Sequence, residues 1–177
     1  MPTAPARSAR PDATEYQPFY ASYIAGVPED DVLAALRSSG AELAAMFAAV
    51  PESRAGHRYA DGKWSVREVA GHLIDAERIF AYRALRIARG DASPLAAFDE
   101  NEYVRTAGSD ARKLADLADE LAVVRDASLR LFASIPAEAW ARRGVVSGRE
   151  ITVRALAYII PGHARHHARV LRERYGL

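Results

Sequence analysis

The sequence predicts an all-α protein built as a four-helix bundle. Three observations carry that expectation. The 177-residue chain is 50% hydrophobic, with alanine by far its commonest residue, a composition that favours helices. Four long segments place apolar residues at helical spacing. Loops rich in turn residues separate those segments, and amphipathic helices joined in this way bury their apolar stripes against one another.

Residues 1–14 are rich in Pro, Ala, Ser and Arg and read as a disordered N-terminal tail, leaving 15–177 as one bundle domain. Tyr16, Phe19, Tyr20, Tyr23 and Ile24 then form an aromatic segment that docks onto the core or lines a pocket mouth. The first long helix is expected to start at Pro28, with Glu29, Asp30 and Asp31 at its positive end. Val32, Leu36, Leu43, Met46 and Phe47 supply its face, and Val50-Pro51 stops it.

The second helix opens on Trp64-Ser65-Val66-Arg67-Glu68, a capping box in which Trp64 can staple onto Val69. It runs to Arg89 with Val69, Leu73, Ala76 and Phe80 inward. Ala96 to Arg105 reads as a short crossing helix, with Phe98 and Tyr103 packed down. Ser109 is expected to cap the third long helix, which carries Leu114, Leu117, Leu121, Val124, Leu131 and Phe132 and ends at Ile135-Pro136. Val145 and Val146 are too short a run to argue a sheet. Thr152 can cap the fourth helix, whose face is Leu156, Ile159, Ile160, His163, His167, Val170 and Leu171. Pro161 removes a hydrogen bond to the carbonyl of Ala157 and should bend this helix.

Composition narrows function. Net charge is +1, with 24 basic and 23 acidic residues interspersed, so no basic stripe selects a nucleic acid. Cysteine is absent, which excludes disulfides, thiolate ligands and a cysteine nucleophile. Any thiol chemistry needs a thiol from outside. No apolar run approaches the roughly 20 residues needed to cross a bilayer, and the N-terminus lacks a signal core. The expectation is a cytoplasmic protein with no membrane or nucleic-acid partner. There is neither a glycine-rich phosphate loop nor an HExxH motif.

Histidine carries the chemistry. His163 and His167, four residues apart, share one helix face. Neutral imidazole suits zinc, nickel, cobalt or ferrous iron. His72, bordering the stripe of another helix, can supply a third ligand, leaving a coordination position open. His166 is three residues from His163 and can also share a metal with it. It falls toward Ile159 and Arg169, however, and is assigned to a supporting position, a pocket edge or solvent. Helical histidines also simply cap, pair or face water. His57 lies in a loop. Asp75 can orient an imidazole, take a fourth metal position or form an ordinary ion pair, and Glu77 can pair with Arg78, Arg83 or another helix. Tyr82, Arg83 and Arg86 can face a partner helix, a substrate anion or solvent. Arg142, Arg143 and Arg149 can receive an anion or face solvent. The sequence itself identifies no catalytic acid, base or nucleophile.

The stretch Trp64 to Arg78, with Gly71-His72-Leu73-Ile74-Asp75 at its centre, resembles the second-helix signature of the DinB/YfiT-like superfamily. Gly162-His163-Ala164-Arg165-His166-His167 resembles its final-helix signature. The Asp99-Glu100 segment and the leucine- and arginine-rich third helix also match, and the resemblance covers residues 25–175. It implies an up-down-down-up four-helix bundle, often a homodimer, with three histidines, here His72, His163 and His167, on a divalent metal. The metal implied is nickel, zinc, iron or manganese. The resemblance also implies thiol-dependent S-transfer or isomerisation of a small-molecule substrate with a low-molecular-weight thiol. Metal-dependent hydrolysis and a non-catalytic, stress-associated metal-binding role are the alternatives.

Overall fold

The computed structural model describes residues 9–177. Six helices, α1 (Ala21–Ala25), α2 (Val32–Ala49), α3 (Val66–Ala88), α4 (Glu100–Ala107), α5 (Leu114–Ala133) and α6 (Val153–Tyr175), are joined by loops and one hairpin, β1 (Arg143–Val146) and β2 (Arg149–Thr152). The bundle consists of α2, α3, α5 and α6. Helices α2 and α3 each pack against both α5 and α6.

Pairwise contacts give the direction of each helix. Tyr158 near the start of α6 bonds to the Asp30 carbonyl, while Arg172 near its end reaches Glu42 at 2.6 Å, so α2 and α6 run parallel. Tyr175 at the end of α6 donates to the carbonyl of Trp64 just before α3, so those two run antiparallel. Arg125 of α5 bonds Leu36 and Ser39, while the amide of Leu114 bonds Glu52 beyond the end of α2, so α5 opposes α2. The connectivity is up-down-down-up.

Cap signals succeed where the bonding is local. Ser65 and Glu68 form the capping box of α3, and Thr152 accepts from the Ala155 amide at 3.0 Å to cap α6. Elsewhere tertiary contacts override them. Helix α2 begins at Val32, capped by Asp31, rather than at Pro28. Glu29 is instead taken by Arg165 and the carbonyl of Asp30 by Tyr158. Ser109 does not cap α5; it opens a separate turn and is wedged against Gly71, where a Cβ would lie 2.1 Å from its Oγ. The amide of Leu114 is satisfied from a distance by Glu52.

Four further expectations change. Residues 1–8 of the expected tail lie outside the described residues. From Ala9 onward the chain is held: Arg10 donates to the Ile24 carbonyl at 2.9 Å, and the buried Glu15 accepts from Thr152 at 2.8 Å and from Arg154. Val145 and Val146 do belong to a sheet, because Ser147 and Gly148 take positive φ (54° and 76°), the geometry of a tight hairpin turn. Helix α2, 18 residues at mean hydropathy 1.3, is apolar enough by length and composition to cross a membrane, yet Leu36, Leu43 and Phe47 are buried in the bundle. Tyr103, expected to pack down, is 45% exposed.

Helix α6 continues unbroken through Pro161. One apolar cluster lies around Tyr158, Phe132 and Trp140, and a second around Leu43, Leu73, Leu117 and Leu171. His72 and His163 stand in the interior between α3 and α6.

Candidate metal centre

Helix α3 brings His72 into the bundle in its second turn, and α6 presents His163 and His167 one turn apart. The Nε2 atom of His163 lies 3.0 Å from that of His72 and 3.0 Å from that of His167. The three ligand atoms fall within 4.8 Å of one another. His72 and His163 are buried and His167 is partly so.

Burial lowers the proton affinity of all three rings. Desolvation, with the neighbouring histidines adding repulsion, takes His72 down to about 4 and His167 to about 3, and it holds His163 well below 6.5. At neutral pH the triad is uncharged and its lone pairs are available. Protons alone satisfy it poorly. Nε2 of His163 faces two neighbours but has either one N–H or one lone pair to offer. A central cation meets all three. Zinc bound by nitrogens at ~2.0–2.1 Å separates its ligand atoms by ~3.3–3.4 Å, close to the two 3.0 Å separations made by His163. The residues present fit a divalent metal with one position open.

Aromatic rings fix the imidazoles. Trp64 lies 4.7 Å from His72 and stacks on His167 at 6.3 Å, while Tyr23 and Phe80 meet His163 edge-on at 5.5 and 5.9 Å. Gly162 permits this closure, because a Cβ there would lie 2.2 Å from the carbonyl oxygen of Tyr23. The triad lines a cavity of about 240 Å³ whose wall also includes Phe19, Tyr20, Ala76, Arg83, Phe98, Glu100 and Ser147. Phe19 is 69% exposed, so the cavity reaches the surface.

The remaining candidates separate cleanly. His166 sits on the cavity wall against Tyr23, with its Nδ1 3.4 Å from Arg169, consistent with a pocket-edge position. His57 packs its ring against Tyr175, away from the triad. Asp75 is not among the converging ligands. It lies 4.0 Å from Arg78, and burial raises its pKa. Glu77 pairs with Arg125 across to α5. Tyr82 is exposed and Arg86 bonds it and Asp91. Arg142 donates to the carbonyl of Ala88, and Arg143 to that of Thr14 at 3.0 Å. Sequence reasoning placed Trp64 and Phe80 in structural roles only, and it treated the Tyr23 segment chiefly as core docking. Glu100 belongs to the Asp99-Glu100 segment that carries part of the family resemblance but has no role assigned from sequence, and Ser147 carries no signal beyond its polarity; they reach the cavity from a crossing segment and a hairpin turn.

No curated protein matches the chain. Among solved structures the fold is similar to YfiT from Bacillus subtilis, described as a probable metal-dependent hydrolase with an unusual four-helix bundle topology. Identity is 18% and the TM-score 0.73, covering 95% of this chain and 94% of that one. It is also similar to a mycothiol-dependent maleylpyruvate isomerase at 15% identity and a TM-score of 0.64. That match covers 77% of this chain but only 57% of the isomerase. A family model, the DinB superfamily, matches residues 35–171, a span that includes all three converging histidines, and the chain belongs to that family.

Proposed function

We propose that the protein is a divalent-metal-dependent enzyme joining a low-molecular-weight thiol, through its sulfur and with loss of the thiol proton, to a small electrophilic substrate. The observation that carries this reading is the convergence of three neutral imidazole nitrogens on the wall of a cavity open to the surface. His72, His163 and His167 would hold the metal. Bound there, it supplies Lewis acidity to a sulfur or oxygen nucleophile.

The chain's own residues do the rest. Trp64, Tyr23 and Phe80 hold the rings in place and exclude water around them. The aromatic side chains of Phe19, Tyr20 and Phe98 on the cavity wall suit the body of an organic substrate better than a hydrated ion. With no cysteine in the chain, the thiol enters as co-substrate, and the mycothiol-dependent neighbour offers a precedent for such use. A cytoplasmic setting, where thiols stay reduced, belongs to the same reading.

Metal-dependent hydrolysis is the second reading. It is favoured by the description of YfiT and by Glu100, a carboxylate on the cavity wall able to accept a proton. An open cavity argues against a purely storage or structural metal.

Elemental analysis of the purified protein tests the common premise. One divalent metal per chain is expected, lost in His72→Ala and His163→Ala. Absence of stoichiometric metal after reconstitution with zinc, nickel, iron and manganese would sink it. Incubating loaded protein with thiols and electrophiles then separates the readings by mass spectrometry: a thioether product marks transfer, and cleavage into two fragments that together have taken up one water marks hydrolysis.

A further inference from the structure

Two arginines are buried to nearly the same degree inside the bundle, and they are treated differently. Arg125 is 5% exposed and its charge is met in full: Nε and Nη2 bond the two oxygens of Glu77 at 2.8 and 2.9 Å, and Nη1 bonds Ser39 and the Leu36 carbonyl. Arg83 is 4% exposed and makes one protein hydrogen bond, from Nη2 to the carbonyl of Ala96 at 2.7 Å. The ring of Phe98 lies 5.5 Å from its guanidinium carbon. Among the described residues it forms no ion pair, and Nε and Nη1 have no partner. Glu100 shares the cavity wall with it but is not bonded to it. Nε and Nη1 are not sealed from solvent, but a guanidinium with so little exposure and no carboxylate is only partly compensated, and burial lowers its pKa accordingly.

We propose that Arg83 is the anchor for a carboxylate on the substrate of this cavity. The guanidinium lines the same 240 Å³ space as the histidine triad, and it is held on one edge by Ala96 and over one face by Phe98. Its remaining N–H groups present the fork that matches a carboxylate. The aromatic wall of Phe19, Tyr20 and Phe80 suits a flat or apolar body. The ligand class is therefore a small carboxylic acid whose far end reaches the imidazoles. This deepens the proposed function and rests on that reading only for what happens at the far end.

The test titrates metal-free protein at pH 7.5 with benzoate and with the uncharged benzamide, following ligand-observed NMR and the fluorescence of a Trp140→Phe background in which Trp64 is the remaining tryptophan. Benzoate should bind at least about tenfold more tightly. Arg83→Gln should abolish that preference and Arg83→Lys retain part of it. Equal binding of the two probes by wild type, no binding of either, or an undiminished preference in folded Arg83→Gln overturns the proposal. The wild-type comparison stands even if the variants fail to fold. A second pair, mercaptoacetate and 2-mercaptoethanol, identifies the source of the anion. An Arg83-dependent preference confined to this pair would assign the anchor to the thiol and overturn the substrate assignment. Because these titrations use metal-free protein, they can succeed while metal analysis fails, and the reverse.

Discussion

His72, His163 and His167 enter the interior from two helices, and removing them from water disfavours the protonated ring. The consequence is a stability that depends on pH in metal-free protein. An unfolded histidine titrates near 6.5, whereas burial brings His72 to about 4 and His167 to about 3. The unfolded chain therefore binds more protons below pH 6.5. The stabilising difference is complete above that pH and is lost as pH falls toward the folded values. Between pH 7 and 5, His72 alone should cost on the order of 2 kcal/mol. Glu29, lowered to about 2 by its bonds to Arg165, contributes only below about 4.5, which lies outside the range from pH 7 to 5. Urea midpoints of metal-free protein should fall from pH 7 to 5, and less steeply in His72→Phe. Parallel curves for the two proteins would contradict the argument. The identity of the three rings was legible in the sequence, because i,i+4 spacing and position on an apolar stripe are local properties. Their aromatic supports were not, because Trp64 and Tyr23 touch histidines 8 to 140 residues away along the chain.

Each bundle helix is fixed by contacts whose partners lie on other elements, and this is where local signals misled. Ser65 and Thr152 cap as their sequences indicate, since the bonded amides lie three residues ahead. Pro28 and Ser109 carry equally good signals, but tertiary bonding decided against them. Glu77 is a similar case. Its nearest sequence candidates are Arg78 and Arg83, yet its partner is Arg125 on α5. That pair joins α3 to α5, and through Leu36 and Ser39 it reaches α2 as well. Arg125→Met should destabilise the fold by ~3–5 kcal/mol in urea unfolding, because it strands a buried carboxylate. Arg125→Met with Glu77→Leu should recover most of the loss. A cost below about 1 kcal/mol for the single variant would mean that Glu77 escapes to solvent. Gly162→Ala tests the α1–α6 contact. Helix propensity alone would give a gain of ~1 kcal/mol, but the new Cβ meets the Tyr23 backbone, which has no flexible end to move. The expected result is a lower Tm and weaker metal binding, and a Tm at or above wild type would show that α1 yields freely.

At the scale of the molecule, up-down-down-up connectivity makes α3 and α6 antiparallel neighbours that are far apart in sequence, and the histidine triad spans them. Helix count and faces were legible because each amphipathic stripe repeats over several turns. The cavity was not, because its wall is gathered from the α1 segment, α3, the crossing segment and the hairpin turn at Ser147, and no periodicity records that convergence. A ligand that bridges α3 and α6 binds only the assembled bundle, so metal should act as a thermal clamp on the whole fold. At free metal about 100 times its Kd, binding stabilises by ~2.7 kcal/mol, and a domain of this size gains ~2–4 °C per kcal/mol. Reconstitution should therefore raise Tm by ~5–11 °C over chelated protein. His72→Ala isolates the bridge, because it leaves both α6 imidazoles in place and removes the ligand from α3. The α6 pair left behind neither retains the metal stoichiometrically nor ties two helices together, so the Tm rise should shrink to about a degree or two. An equal rise in wild type, His72→Ala and His163→Ala would place the metal elsewhere, and a rise lost in His163→Ala but kept in His72→Ala would restrict it to α6.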